Sequence, residues 1–468
     1  MPWRKLPRKI AKKRKKKTKP EKGSIFVSSL GCDKNLTDTE HMMGALREAG
    51  FTFTEEEAEA ESAIVNTCCF IHDAKQESVR EILRLAAYRR EGRMKALIVT
   101  GCLAQRYREE IRKEIPEVDA IVGTASVDRI VKTLSAVHRG KAADVLEDIN
   151  RSYKMTAGRV LTTGGHYAYL KIAEGCDKHC TYCIIPQLRG RFRSVPVEEL
   201  LEEAKALDAQ GVTELILVAQ ETTRYGLDLY GEKRLHVLLK RLCEETEGIR
   251  WIRLLYCYPE EITDDLIRVI REEERIVKYL DIPVQSGSDA VLKRMGRRNV
   301  TAEGIRETVK KLREEIPGVC LRTTLISGFP GETAADHRDS MKLVEDLCFD
   351  RLGVFPYSKE EGTAAGRMRG QIAEPLKKRR RTELMKLQQR IAFAKAKEHI
   401  GEELSVFVEG MITDEEGEEI CVARTYRDAP EVDGFLFFSP KGRMPMSGEI
   451  VRVRVTDARE YDLVGEEV

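Results

Sequence analysis

No apolar run in the sequence approaches the ~20 residues that a membrane-spanning helix needs, although 42% of its 468 residues are hydrophobic. The basic first residues are not followed by the apolar core of a secretory signal. These two absences argue against a membrane protein and against an exported one. We therefore expect a cytoplasmic location, where thiols stay reduced.

Twelve cysteines are nevertheless present. In a reducing compartment such thiols serve metal or redox chemistry more often than disulfides. The length allows two to four domains. Changes in pattern predict a basic tail, an α/β domain, a linker, a second α/β domain that ends in a long helix, and a small β-barrel. The predicted bounds are residues 1–22, 23–140, 141–165, 166–400 and 401–468.

Charge is distributed unevenly along the chain. Residues 1–22 carry twelve Lys or Arg and one Glu, which leaves a net charge of −9 on the rest. Two interpretations of this tail remain open. One is an arm that contacts RNA or a ribosome surface. The other is a solvated, disordered tail or an over-long start of the reading frame.

Three strand-like segments of the first domain each end at a cysteine and precede a helical pattern. The strands are predicted over Ser24–Leu30, Ala63–Thr67 and Ala96–Thr100. Because the carboxyl ends of parallel strands share one edge of a sheet, Cys32, Cys68 and Cys102 are predicted to converge there. The alternatives are three buried structural cysteines, or Cys69 in place of Cys68. The first helix is expected from about Thr37, capped by Asp38 or Thr39.

A C-x3-C-x2-C loop, formed by Cys176, Cys180 and Cys183, opens the second α/β domain. A loop this short must wrap around a compact object, since each residue spans at most ~3.6 Å. Three thiolates can hold three corners of a [4Fe–4S] cube, which usually takes four, and the fourth iron is then open to a ligand. A zinc knuckle, or cysteines that merely lie close, would give the same spacing.

The second domain alternates strands and helices. The predicted strands are Tyr167–Ala173, Glu214–Ala219, Trp251–Tyr256, Tyr279–Val284, Leu321–Ile326 and Leu352–Phe355. Six such units predict a barrel or partial barrel, with its active site at the carboxyl ends of the strands. Polar turns follow several strands at that end, although any one of them could be only a tight turn.

Residues 401–468 switch to short alternating strands, after a long helix predicted over Ala373–Ile400. The strands are predicted over Leu404–Val408, Glu419–Ala423, Gly434–Phe438 and Glu449–Thr456. They predict a small antiparallel β-barrel. This region carries 17 acidic and 7 basic side chains. Because RNA binding depends on neutralising phosphates, the acidic barrel favours a basic protein as its partner.

The C-x3-C-x2-C loop, with Tyr182 before its last cysteine, resembles that of radical S-adenosylmethionine (SAM) enzymes. From about residue 23 onward the chain resembles the methylthiotransferases among them. The matching segments are Ser29–Cys32, Asn66–Cys68, Gly101–Cys102, Ile282–Ser288, Gly328–Glu332 and Tyr357–Thr363. The implied fold class is α/β, with an N-terminal parallel α/β sheet domain, a central partial (β/α)6 radical SAM barrel and a C-terminal TRAM-like antiparallel β-barrel.

This resemblance implies SAM and two [4Fe–4S] clusters as cofactors. The cysteines of the C-x3-C-x2-C loop would bind the cluster whose open iron holds SAM. The three cysteines that end strands would bind a second cluster, which carries the sulfur to be inserted. Candidate SAM contacts are Tyr182, Gln220, Glu221, Ser327, Gly328 and Glu332. The cofactors carry the chemistry, so no acid or base side chain is assigned.

Within the family, the chain most resembles the branch that methylthiolates the β-carbon of an aspartate in ribosomal protein uS12. The segments concerned are Gly31–Leu36, Gln220–Asp228, Asp428–Gly434 and Tyr461–Leu463. The alternatives are a branch that modifies adenosine in tRNA and a non-catalytic metal-binding RNA adaptor. Asp33 and Cys69 stand where the first branch usually has Pro and Gly, and the basic tail is not typical of it. A sulfur donor and an electron donor are implied, with no residue pattern that identifies either.

Overall fold

The computed structural model describes residues 22–141, 144–153, 158–413 and 417–468. In chain order it contains a five-stranded sheet, a six-stranded sheet and a closed five-stranded barrel, which confirms the expected fold class. Within these ranges no helix has the length and apolar character needed to cross a membrane. The basic tail, apart from Lys22, lies outside the described residues.

The N-terminal domain is built on five parallel strands. The strands are β1 (Ser24–Ser29), β2 (Thr52–Phe53), β3 (Ser62–Thr67), β4 (Ala96–Gly101) and β5 (Ala120–Val122). The helices are α1 (Asp33–Glu48), α2 (His72–Arg90), α3 (Cys102–Arg106), α4 (Arg108–Glu114) and α5 (Ile130–Val137). The sheet order is β2-β1-β3-β4-β5. The strands β3 and β4 are buried at every position, which explains their continuous apolar sequence. The very short β2 and β5 carry too little pattern to be predicted.

The first helix begins earlier than the expected Thr37. It starts at Asp33, and Cys32 occupies its N-cap position. The expected cap residues Asp38 and Thr39 are instead buried within the helix. Asp38 accepts a hydrogen bond of 2.8 Å from Arg189 of the next domain. Asp38 therefore serves a contact between domains, and Thr39 bonds Ser29, Asn35 and Asn66 within its own domain.

The central domain is an open, fully parallel sheet wrapped by helices. Its main strands are β6 (Tyr167–Lys171), β9 (Glu214–Val218), β10 (Trp251–Leu254), β11 (Ile276–Asp281), β12 (Cys320–Ser327) and β13 (Arg351–Pro356), and a small hairpin is formed by β7 (Ala173–Glu174) and β8 (Arg193–Ser194). The main strands pair in sequence order, with β6 and β13 at the two edges. This is the predicted partial (β/α)6 barrel, although β11 lies three residues before its predicted start at Tyr279.

Helices surround this sheet; most of them cover its outer face, and the first packs against the N-terminal domain. They are α6 (Ile185–Arg189), α7 (Val197–Asp208), α8 (Leu227–Tyr230), α9 (Leu235–Glu245), α10 (Asp264–Glu272), α11 (Asp289–Arg294), α12 (Ala302–Glu315), α13 (Ala334–Leu347) and α14 (Glu374–Glu398). Their apolar faces and the outward-facing strand residues form one large buried cluster. The long α14 packs against β13 and leads to the C-terminal barrel.

The C-terminal barrel closes in the order β14-β15-β16-β18-β17, where the strands are β14 (Glu403–Thr413), β15 (Glu419–Thr425), β16 (Leu436–Ser439), β17 (Ile450–Arg459) and β18 (Asp462–Glu467). The strand β18 is absent from the sequence prediction. Its partner β16 is distant in sequence, and its Asp-Leu-Val-Gly-Glu-Glu sequence lacks the usual strand composition. Closure leaves no free sheet edge.

The loop between β15 and β16 docks this barrel onto the amino ends of the central strands. Arg424 forms ion pairs of 2.7 Å with Glu214, at the start of β9, and of 2.5 Å with Glu409. Ala429 is buried among tyrosines of the central sheet, and Asp433 accepts a hydrogen bond of 2.7 Å from Tyr279. The C-terminal barrel therefore leaves the carboxyl ends of the central strands uncovered.

Replacing Arg424 by Met should lower the free energy of unfolding by about 3 kcal/mol, because it removes one of two cations from the buried Glu214 carboxylate. Denaturant unfolding would measure this. Arg443→Met is the matched control, since the Arg443–Glu449 pair is exposed and such pairs contribute little. An equal, small effect of both substitutions would contradict the expectation.

Candidate active site

The structure brings Cys32, Cys68 and Cys102 together at one edge of the N-terminal sheet. They follow β1, β3 and β4, which are neighbours in that sheet. Burial, with a smaller contribution from the thiols of Cys32 and Cys102, raises the pKa of Cys68 to about 12. Burial also raises the pKa of Cys102. These three residues are called the strand-end cysteines below.

Two glycines allow the strand ends to approach one another. Gly31 has φ +95°, and a Cβ there would lie 2.5 Å from the Cβ of Cys68 and 2.9 Å from its sulfur. Gly101 has φ +91°, and a Cβ there would lie 2.3 Å from Oδ1 of Asn66. Any larger residue would be strained and would push the strand ends apart.

Side-chain amides tie the same strand ends together. Asn35 Nδ2 donates to the carbonyl oxygens of Leu30 at 2.9 Å and of Thr67 at 3.1 Å. Asn66 Nδ2 donates to the carbonyl oxygen of Asn35 at 2.8 Å. The Thr67 hydroxyl donates to the carbonyl oxygen of Thr100 at 2.5 Å. These bonds fix the backbone just before each strand-end cysteine, which is a physical reason for the polar residues in the motifs around them.

Cys69 is fully buried in the core of the N-terminal domain, in the same apolar cluster as Cys102. Burial, with a smaller contribution from the Cys102 thiol, raises the pKa of Cys69 to about 12, and the guanidinium of Arg106, which donates to this thiol, opposes that increase. The Cys68 thiol is influenced by both Cys32 and Cys102, whereas the charged neighbours of Cys69 are Cys102, Arg106 and Cys68. This difference favours Cys68 as the third member of the group.

The second cysteine group, Cys176, Cys180 and Cys183, is called the cysteine loop below. Backbone hydrogen bonds fold it tightly: Cys183 N donates to the Cys180 carbonyl oxygen at 3.0 Å, and Thr181 N donates to Met295 O at 2.9 Å. Lys178 N donates to the Cys176 sulfur at 3.4 Å. Burial, with smaller contributions from neighbouring thiols, raises the pKa values of Cys176 and Cys183 to about 12. Within the described residues, no three Cys, His, Asp or Glu side chains are arranged to hold a single metal ion.

One carboxylate and one amide, on the two residues Glu221 and Gln220 after β9, lie beside this loop. Each has a buried side-chain oxygen without a hydrogen bond. Glu221 is 1% exposed, and its Oε1 has no hydrogen-bond partner. Burial raises the pKa of Glu221 to about 7, against the opposing effect of Lys178 at 3.6 Å. Gln220 Nε2 donates to Glu174 at 2.8 Å, while its Oε1 is buried without a partner. Two such acceptors suit a ligand that carries an ammonium group.

Tyr182 is held within the loop. Its hydroxyl contacts the Cys180 thiol, and burial raises the pKa of Tyr182 well above its usual value. Its ring packs edge-on against Phe329, with the ring centroids 6.4 Å apart. Phe329 belongs to the turn after β12, so Tyr182 connects the loop to that turn.

The other predicted SAM contacts have their polar atoms engaged by α14. The Ser327 hydroxyl donates to the carbonyl oxygen of Lys377 at 3.1 Å. Glu332 accepts from Gly328 N at 3.1 Å and pairs with Arg380 at 2.7 Å. This network shapes the turn after β12. A direct contact of these residues with SAM stays a prediction.

Arg189 links the strand-end cysteines to Glu174, which lies two residues before Cys176, and sequence reasoning missed it. It lies at the end of α6 and is 3% exposed. Its guanidinium donates to Asp38 at 2.8 Å and to Glu174 at 3.0 Å, and it contacts the Cys102 thiol. Only the folded chain reveals this role, because a single arginine at the end of a short helix has no distinctive pattern.

Three family profiles match the chain. They are Uncharacterized protein family UPF0004 over residues 24–123, the Radical SAM superfamily over 170–344 and the TRAM domain over 400–468. The chain is 55% identical to the ribosomal protein uS12 methylthiotransferase RimO of Lachnoclostridium phytofermentans, over 94% of this chain and 99% of that protein. It is 48% identical to the RimO of Desulforamulus reducens, over 95% and 99%. The chain belongs to the RimO methylthiotransferase family. It is therefore a radical SAM enzyme, with SAM and a [4Fe–4S] cluster as cofactors.

One solved structure shares the fold of this RimO family member at low sequence identity. The radical SAM methyltransferase TsrM of Kitasatospora setae, with cobalamin and a [4Fe–4S] cluster bound, aligns with a TM-score of 0.55 and 14% identity over 74% of each chain. The likeness supports the arrangement of an α/β domain beside a radical SAM barrel.

Replacing Cys68 by Ala should reduce the iron bound by this RimO family member after anaerobic reconstitution, whereas Cys69→Ala should not. The reason is that the thiols of both Cys32 and Cys102 act on Cys68, whereas Cys69 is fully buried and neighbours Cys102 and Arg106. Iron and sulfide assays on the two variants would measure the difference. Equal iron loss in both variants would show that the two adjacent thiols are interchangeable.

Proposed function

We propose that this enzyme methylthiolates the β-carbon of an aspartate in ribosomal protein uS12, using two [4Fe–4S] clusters and two molecules of SAM. The observation that carries the proposal is the presence of two separate three-cysteine groups, with Arg189 linking the strand-end cysteines to Glu174 just before the cysteine loop. One group suffices for reductive SAM cleavage. The second group would hold a separate cluster for the sulfur that is inserted.

The residues of both groups fit such clusters. Each offers three thiols and leaves one corner of a cube for another ligand. Lys178 N donates to the Cys176 sulfur, and Arg189 contacts the Cys102 thiol. Donors of this kind stabilise negative charge on ligand sulfurs. When bound, the clusters and SAM would supply a 5′-deoxyadenosyl radical and a sulfur for transfer.

The surrounding side chains would hold SAM in place. Glu221 Oε1, which has no hydrogen bond and only Lys178 at 3.6 Å, and the unbonded Oε1 of Gln220 are suited to accept from its amino group. Tyr182 and the turn around Phe329 would close the apolar side of the same site. These residues would hold SAM beside the cysteine loop, where it would supply the radical when the cluster is bound.

The choice of substrate is supported by charge and by the relatives. Residues 401–468 have ten more acidic than basic side chains, and a basic ribosomal protein complements them. The same charge would repel the phosphates of tRNA. The relatives named above are uS12 methylthiotransferases over nearly their whole length. A ribosomal substrate also implies a cytoplasmic enzyme.

Replacing all three strand-end cysteines by Ala should leave about half of about eight irons per chain, as expected for loss of one of two cubes. The variant should still cleave SAM reductively, because the cysteine loop is intact, and it should not insert sulfur. Iron analysis and chromatography of 5′-deoxyadenosine would test this. Loss of all iron, or of SAM cleavage, would contradict the two-cluster proposal.

The substrate is tested in cells that lack this enzyme. Mass spectrometry of uS12 peptides should show loss of the methylthio group from one aspartate, while methylthiolated nucleosides of tRNA persist. Re-expression of the wild-type chain, but not of the triple cysteine variant, should restore the modification. Loss from tRNA with uS12 unchanged would assign the enzyme to adenosine instead.

A further inference from the structure

The segment of residues 357–365 follows β13 and matches the family motif Tyr357–Thr363, for which the proposed function has no role. It leaves the last strand of the central sheet at the same end as the cysteine loop. Hydrogen bonds from Thr363 and Gly366 within the segment fix it as a tight turn. We call residues 357–365 the clamp segment.

One side of the clamp segment is bonded to the cysteine loop. Ala365 N donates to the carbonyl oxygen of Thr181 at 2.8 Å, and Thr181 lies between two cysteines of the loop. Gln187 Nε2, on α6, donates to the carbonyl oxygen of Gly362 at 3.1 Å. The clamp segment and the cysteine loop are therefore held together by direct bonds.

The other side of the clamp segment binds the N-terminal domain through ion pairs of Glu360. Its carboxylate pairs with Lys75 at 2.7 Å and with Arg106 at 3.3 Å, and its side chain is 3% exposed. Arg106 also donates to the carbonyl oxygen of Glu361 at 2.5 Å. Ser358 supports the carboxylate with a hydrogen bond of 2.9 Å.

The two cations lie on the helices that follow Cys68 and Cys102 in the chain. Lys75 is in the first turn of α2, just after Cys68 and Cys69. Arg106 is the last residue of α3, whose first residue is Cys102. One buried carboxylate thus fixes both helices at the point where two of the three strand-end cysteines are positioned.

We propose that Glu360 is a positioning residue that sets the separation and orientation of the two cysteine groups. This proposal rests on the proposed function, in which both groups hold clusters. Transfer between reacting groups depends steeply on their placement, and an error of about 1 Å can cost about a hundredfold in rate. A buried carboxylate with two cations is a rigid link, because leaving any partner unpaired is costly.

The test is the isosteric variant Glu360→Gln, with Glu314→Gln as the matched control. Glu314 is an exposed glutamate on α12, paired only with Lys310 at the surface. In reconstituted Glu360→Gln enzyme, we expect unchanged iron and a fall of about tenfold or more in methylthiolated product per 5′-deoxyadenosine. The magnetic interaction between the two reduced clusters, measured by electron paramagnetic resonance, should weaken. The control should match the wild type in all three measurements.

A second variant separates a local link from general destabilisation. Lys75→Met should lower the product ratio in the same direction, and the Lys75→Met/Glu360→Gln double variant should be no worse than the more impaired single variant, because both act on one contact. Fully additive losses would overturn the proposal. So would an unchanged product ratio in Glu360→Gln.

A measurement on the cluster-free protein keeps this test independent of the proposed function. Hydrogen exchange should be faster in α2 and α3 of Glu360→Gln than in the wild type, with α5 unchanged, because only α2 and α3 lose their contact. Unchanged hydrogen exchange in α2 and α3 would contradict the proposal that Glu360 holds these two helices. If the wild-type protein bound only one cluster, the proposed function would be wrong. The exchange result would still test whether Glu360 links the two domains.

Discussion

The arrangement of the whole site depends on one buried network of charges between the N-terminal and central domains. Arg189 and Lys171 provide its cations, and Asp38 and Glu174 provide its anions. Burial would raise the pKa of Glu174, but the charges of Arg189 and Lys171 lower it below its usual value. Buried charges are tolerated only when paired in this way. The network therefore holds each domain against the other in a single orientation, which is what brings two cysteine groups to one place.

The two parallel sheets and the C-terminal barrel occupy different positions relative to the cysteine groups. Each parallel sheet presents its cysteines at the carboxyl ends of its strands, where loops can vary without disturbing the core. The C-terminal barrel binds the amino ends of the central strands through Arg424 and its neighbours. In the proposed function, the acidic barrel that would contact a basic partner and the cysteine loop that would hold the radical chemistry therefore lie at opposite ends of the same strands.

Two of the three departures from the usual branch pattern, Asp33 and Cys69, have a physical explanation. Asp33 pairs with Lys34 at 2.9 Å and accepts a hydrogen bond of 3.3 Å from Tyr256 in the central domain. Lys34 lies over the ring of Tyr256, 3.4 Å from its centroid. Asp33 thus adds a polar contact between domains, beside Cys32. Cys69 fills the core and contacts Arg106, and neither substitution displaces a strand-end cysteine.

Sequence by itself determined the fold class and most strands, and it predicted that six cysteines form two groups of three. Both follow from local patterns, namely strand–cysteine–helix repeats and short cysteine spacings. The sequence also pointed to Glu221, since a polar residue after a barrel strand faces the active end. Only the tertiary structure shows that Cys68 neighbours both Cys32 and Cys102, that Ser327 and Glu332 are engaged by α14, and that Arg189 and Glu360 join the domains. Those outcomes depend on contacts between residues far apart in the chain, where side-chain direction and pairing leave no periodic trace in the sequence.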